Sequence, residues 1–197
     1  MTTGNLPVRY EIRNTSTPDS SNVLKQTCCS VISEGGYEDV SGIMFSADVG
    51  SNLAANDGTS LTPVLSIRPK LLFNGVTNRA QVILQAFNII GTGALTNYKL
   101  IYNGSLTSAA FQSVDADSLV ESDTAASAIT GGIAVYSGYI ASGTIGGASF
   151  TPGSFVYRLP FTLDYAGATA DILTLAVQGV GGTTKVVGSL VWKEIKD

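Results

Sequence analysis

Residues 6–36 read LPVRYEIRNTSTPDSSNVLKQTCCSVISEGG. Val8, Tyr10 and Ile12 fall on one side of an extended chain, and Arg9, Glu11 and Arg13 on the other. That period of two is the mark of a half-buried β-strand. A polar stretch follows from Asn14 to Asn22, with Pro18 and Asp19 as breakers, and an apolar run resumes from Val23 to Ile32 and stops at Gly35-Gly36. The segment reads as two strands joined by a loop, and it sets the pattern for the rest of the chain.

Downstream, residues 40–47 offer a short strand, and 48–62 are turn-rich, with Gly50, Asn52, Asn56, Asp57 and Gly58. From Pro63 onward eight strand candidates recur, at 63–73, 80–90, 97–102, 109–121, 132–141, 155–163, 171–179 and 185–195. Pro69 makes the first of them an edge or bulged strand. Asn74-Gly75 is a turn signal, in a loop that Val76–Asn78 lengthens beyond two residues. Residues 80–90 (AQVILQAFNII) are apolar on both faces and rich in β-branched and aromatic side chains, as in the middle of a sheet. Residues 141–153 read as a Gly/Ser/Thr loop, and 171–195 as a terminal hairpin turning at GVGGTTK with Trp192 on the inner face. No segment carries a helical stripe. Short strands between Gly/Asn loops predict an all-β fold, and eight strands in two sheets fit a jelly-roll-like antiparallel β-sandwich with an additional N-terminal strand pair. The expected organisation is a strand pair or arm over 1–50, a linker loop over 51–62 and the sandwich over 63–197.

Composition bounds the chemistry. Of 197 residues, 44% are hydrophobic and only 13% charged, against roughly 25% charged in ordinary soluble domains. Such a surface is solubilised by hydroxyls and amides and suits packing against other subunits. Net charge is −4 with no basic run, which argues against nucleic acid, because that binding needs clustered cations. The apolar runs are far shorter than the roughly 20 residues of a membrane-spanning helix, and MTTGNLP has no signal-peptide character. Cys28 and Cys29 are neighbours whose side chains leave a strand on opposite faces, so no disulfide framework is expected.

The chain contains no His, which removes Ser–His–Asp and Cys–His catalysis and the commonest zinc ligand. Asp115, Asp117, Glu121 and Asp123 cluster, but Leu119, Val120 and Ala126 stand where an EF-hand needs oxygen ligands and a glycine. A solvated acidic strand and loop is the expectation, a calcium site of another kind the alternative. Asp164 and Asp171 flank a turn and are the nearest approach to a glycosidase carboxylate pair. Tyr98, Tyr102, Tyr136 and Tyr139 offer a contact or sugar-stacking surface, and Val8, Tyr10 and Ile12 an interface, since an unpaired edge there would invite aggregation. No catalytic, cofactor or metal site is assigned.

The segments LPVRYEIRNT, LKQTCCSVISEGGY and GSLVWKEI, with PFTLDYAGATADILTLAVQ before the last, resemble a module of virion structural proteins of tailed phages, especially marine ones, and of some large DNA viruses. The resemblance spans nearly the whole chain. It implies a non-enzymatic component of the particle surface, a capsid decoration or cement subunit or a tail-appendage module. Other virion subunits would be its partners, in a homo-oligomer for which a trimer is the expectation. The alternative is a receptor- or carbohydrate-binding module of a tail fibre with a host-surface glycan as partner. Longer members of that family carry a β-rich half before the LPVRYEI strand, so the resemblance implies either that this chain is their C-terminal part or that its first strands find partners in another subunit.

Overall fold

The computed structural model of the protein describes residues 42–50, 53–55, 60–150 and 160–195, all within the compact unit Val40–Asp197. The strand pair in 6–36, including Val8, Tyr10, Ile12, Cys28 and Cys29, lies outside the described residues. The described residues contain no helix, and the sheets are antiparallel and packed as a sandwich, as the alternation predicts.

The sandwich is organised by two very long strands. β6 (Gln81–Tyr102) and β14 (Leu173–Ile195) pair antiparallel from Leu173↔Tyr102 to Ile195↔Gln81. Each therefore takes part in both layers. In the first layer, β6 residues 81–93 pair β14 residues 184–195. β1 (Ile43–Asp48) and β2 (Leu53–Ala55) flank β14, while β12 (Gly143–Phe150) and β13 (Pro160–Phe161) flank β6. In the second layer, β6 residues 95–102 pair β14 residues 173–180. There β3 (Thr62–Pro69) flanks β14, followed by β9 (Val120–Asp123) and β8 (Gln112–Ser113), and β11 (Ile133–Ile140) flanks β6.

This corrects the strand count in two places. Residues 80–90 and 97–102 are one strand, and 171–179 and 185–195 are one strand rather than a hairpin. The glycine-rich stretches between them bend the pair without reversing it. At the corner Gly181, Gly182 and Thr183 of β14 stand against Ala94 alone, between the pairs Val180↔Leu95 and Thr184↔Gly93. Inserted residues of this kind raise local twist and bend a strand. Gly93 (φ 103°) and Gly181 (φ 74°) take conformations that side chains disfavour. A Cβ on Gly93 would also stand 2.7 Å from the Thr183 carbonyl oxygen. The corner is pinned by hydroxyls: Thr184 Oγ1 lies 2.6 Å from Thr96 Oγ1 and donates to the Thr92 carbonyl at 3.1 Å.

Three smaller corrections follow. Residues 143–150 form β12, because β6 supplies a ladder for a sequence with little strand preference of its own. The 109–121 candidate yields only β8 and the start of β9. The Asn74-Gly75 turn is a two-residue hairpin after all: β4 (Leu72–Phe73) pairs β5 (Val76–Thr77), with positive φ at both central residues (49° and 79°), as a primed turn requires. Pro69 is harmless because β14 pairs β3 only as far as Ile67↔Leu173, two residues short of it. The bulge in β3 lies at Pro63–Leu65.

The core lies between the layers. Val82, Phe87, Ile89, Val186, Leu190 and Trp192 from the first meet Leu65, Ile67, Leu100, Leu173, Leu175 and Val177 from the second. Burying side chains of this size stabilises the fold by about 1.5–3 kcal/mol each. A second, smaller cluster covers the outer face of the second layer. There β7 (Ser105–Thr107) pairs β10 (Ala128–Thr130), and Leu106 and Ile129 pack on Ile101 and Ala176. This cover explains why Ser66 and Thr174, on that outer face, are fully buried and bonded hydroxyl to hydroxyl at 2.9 Å.

Candidate functional site

The structure does not bring the four singled-out tyrosines onto one surface. Tyr98 and Tyr136 point inward, as the alternation of β6 and β11 dictates, and close one side of the core with Phe87. Phe87 meets their rings edge-on at 5.9 and 5.6 Å, and the two tyrosines stack at 6.2 Å. Tyr98 is 6% exposed. Burial, and then Tyr136 beside it, raise its pKa. Gly138 lies against the Tyr98 ring, where any Cβ would collide with it; this is the close approach that a strand glycine signals. Tyr102 packs at the rim of the core, and its pKa is pushed up to about 12 by burial and then by its hydrogen bond to Asp171. Only Tyr139 faces outward, 64% exposed. These four residues are therefore a core cluster, a rim residue and one surface residue, not a sugar platform.

The carboxylates are engaged by the backbone. Asp171 accepts the Thr162 N–H at 3.0 Å and the Asn103 side-chain amide at 2.9 Å, and the Ile172 N–H donates to Asn103 Oδ1 at 2.8 Å. Asp171 thus ties the end of β6 to the start of β14. Asp164 accepts the N–H groups of Ala168 (2.7 Å) and Thr169 (3.1 Å) inside its own turn. Those bonds, Thr169 first, hold its carboxyl below the usual range. Each member of this pair thus closes a loop. The acidic cluster behaves likewise. Asp123 accepts from Ala110, Ala125 and Ala126, Asp115 from Asp117, and Glu121 pairs Arg68 at 2.9 Å. Among the described residues no three metal-ligating side chains converge.

Two residues that the sequence did not flag hold the architecture together. Glu194, fully buried on β14, accepts the Ser118 hydroxyl at 2.6 Å, the Leu119 N–H at 2.8 Å and the Trp192 indole N–H at 3.0 Å. Alternation with Leu190 and Trp192 puts it on the inner face of β14, but only the fold shows the three donors that it meets there. Asn78, also buried, donates to the carbonyls of Lys70 (3.0 Å) and Leu119 (3.1 Å) and accepts the Ala80 N–H (3.1 Å). It anchors the β4–β5 hairpin.

That hairpin carries the candidate contact site. Leu71, Leu72 and Val76 are exposed on and beside it, at 43%, 60% and 69%. The 164–170 turn packs against it. Arg79 donates to the Tyr165 carbonyl at 3.3 Å, and a Cβ on Gly167 would stand 2.7 Å from Thr77 Cγ2. Tyr165, on that turn, is fully exposed. Apolar side chains and a tyrosine are thus presented on a well-anchored projection. Such groups contribute at protein contacts, where aromatic and aliphatic anchors fill pockets in a partner. No family model matches the chain, and no curated protein matches it.

Proposed function

We propose that this protein is a non-enzymatic structural component of a virus particle surface, acting through contacts with copies of itself and other virion subunits. The observation that carries the reading is the anchored apolar projection of Leu71, Leu72, Val76 and Tyr165 on a chain with 13% charged residues. A side chain exposed in isolation needs no explanation; several on one braced hairpin and its neighbouring turn suit burial by a partner. The antiparallel sandwich and the resemblance of nearly the whole chain to virion structural proteins support the same reading.

The test is proteomic. Particles purified from an infected host contain this chain at the copy number of a structural protein, and Leu72→Asp with Val76→Asp removes it from particles while far-UV circular dichroism stays that of the folded chain. Particles that lack the wild-type chain, or incorporate the double variant normally, overturn the reading.

A further inference from the structure

Asn-Gly steps occur at Asn74-Gly75 and at Asn103-Gly104. Both asparagines turn the chain with nearly the same backbone, φ 49° and 53°, a conformation that asparagine tolerates. Their side chains are held differently. The Asn103 amide donates to Asp171 at 2.9 Å, and its Oδ1 accepts the Ile172 N–H at 2.8 Å. Its backbone N–H donates to the Ile172 carbonyl at 2.8 Å. Gly104 is buried, and a Cβ there would lie 2.6 Å from Ile129 Cδ1. At the other step Asn74 and Gly75 are both exposed, at the tip of the β4–β5 hairpin. A Cβ on Gly75 would meet nothing within 4 Å. Among the described residues no hydrogen bond engages the Asn74 side chain or the Gly75 N–H.

We propose that Asn74 is a site of spontaneous deamidation that charges the tip of the contact hairpin, while its contacts keep Asn103 an amide. The Gly75 nitrogen, unshielded by any side chain, attacks Cγ of Asn74. The N–Cγ bond forms, the Cγ–Nδ2 bond breaks, and the amide nitrogen leaves as ammonia with the proton that Gly75 gives up. Water then adds to either carbonyl of the cyclic imide. Breaking the bond from Cγ to nitrogen gives aspartate, breaking the one from the main-chain carbon gives isoaspartate, and the nitrogen regains its proton. Asn103 must first give up two side-chain hydrogen bonds, which makes it at least about tenfold slower. The product puts a carboxylate between Leu72 and Val76 on a chain already at −4. A charge within a contact patch must be desolvated when the patch is covered, so conversion acts as a timer that retires the contact. That consequence rests on the contact role given to the hairpin in the proposed function; the chemistry at Asn74 does not.

Mass spectrometry of the full chain, aged in mildly alkaline buffer and then digested with trypsin, tests it. Lys70 and Arg79 bound a peptide, residues 71–79, that carries Asn74 apart from Asn103. The folded chain accumulates the acid form in this peptide, located at Asn74 by fragmentation, while Asn103 keeps its amide. In concentrated urea the two convert at similar rates, because the tether on Asn103 is gone. A folded chain that keeps Asn74 intact, or converts Asn103 as fast, overturns the proposal. So does the same preference in urea, since the contrast would then owe nothing to the fold. Asn74→Asp, one of the two products, reads the consequence: the variant is left out of particles that take up the wild type. Its normal incorporation would sink the timer and leave both the chemistry and the particle reading standing. Particles without the wild-type chain would sink the particle reading and leave the chemistry.

Discussion

The carboxylate of Glu194 accepts the hydroxyl of Ser118 at 2.6 Å across a separation of 76 residues. One end of the last strand is thereby fastened to the loop that leads into β9. The same carboxylate also takes the Leu119 N–H and the Trp192 indole, so a single buried anion organises three donors from two layers.

Glu194→Gln keeps the shape but turns part of the acceptor into a donor. It is expected to cost about 1–3 kcal/mol, the penalty of one buried donor left facing another. Glu194→Ala orphans all three donors and opens a cavity, and costs about 3–5 kcal/mol. Urea unfolding followed by Trp192 fluorescence measures both. A Gln variant as stable as the wild type would show that the three contacts contribute nothing net.

Asn78→Ala leaves the Lys70 and Leu119 carbonyls without their side-chain donor and the Ala80 N–H without its acceptor. The expected loss is about 1–3 kcal/mol, accompanied by faster amide exchange across residues 71–77. Asn78→Asp tests the polarity of the site, because it keeps the acceptor and removes the donor.

Gly93→Ala forces a side chain onto φ 103° and against the Thr183 carbonyl. We expect a loss of about 1–3 kcal/mol from backbone strain alone. Gly75→Ala provides the contrast. It carries positive φ as well, but its Cβ meets nothing within 4 Å, so its loss is the smaller in thermal unfolding.

Tyr102 titrates near 12 because burial and Asp171 both favour its neutral form. A folded pKa above the unfolded value of about 10 gives stability that is fully present below pH 10. That stability is lost as pH rises through 12. Phenolate absorbance should show one tyrosine ionising late, and Asp171→Asn should lower that midpoint without returning it to the value of a free tyrosine, since burial is the larger cause. A late midpoint unmoved by the substitution would count against the Asp171 contact.

How much could be read beforehand differs by residue, and for one reason. Leu173, Leu175 and Val177, then Val186, Leu190 and Trp192, alternate in sequence, and all six are fully buried. Alternation is a property of the strand itself, so it survives any arrangement of neighbours, and it was enough for an all-β sandwich with Trp192 inside. Of the acidic residues from Asp115 to Asp123, Asp115 is an exposed loop residue as expected, but Asp123 is buried and Glu121 is tied to Arg68, 53 residues away. The two bent strands were not legible, because Gly91–Gly93 and Gly181–Gly182 can reverse a chain or bend it. The choice belongs to the ladder that β6 and β14 build together across more than 70 residues of sequence. The roles of Glu194, Asn78 and Tyr98 were hidden for the same reason: their partners are Ser118, Leu119 and Gly138, which only folding brings near. Sequence by itself determined which side of each strand is apolar, since that depends on residue spacing along one segment. Tertiary structure alone decided where each strand bends and which polar groups are buried with partners, since those depend on contacts between segments distant in the chain.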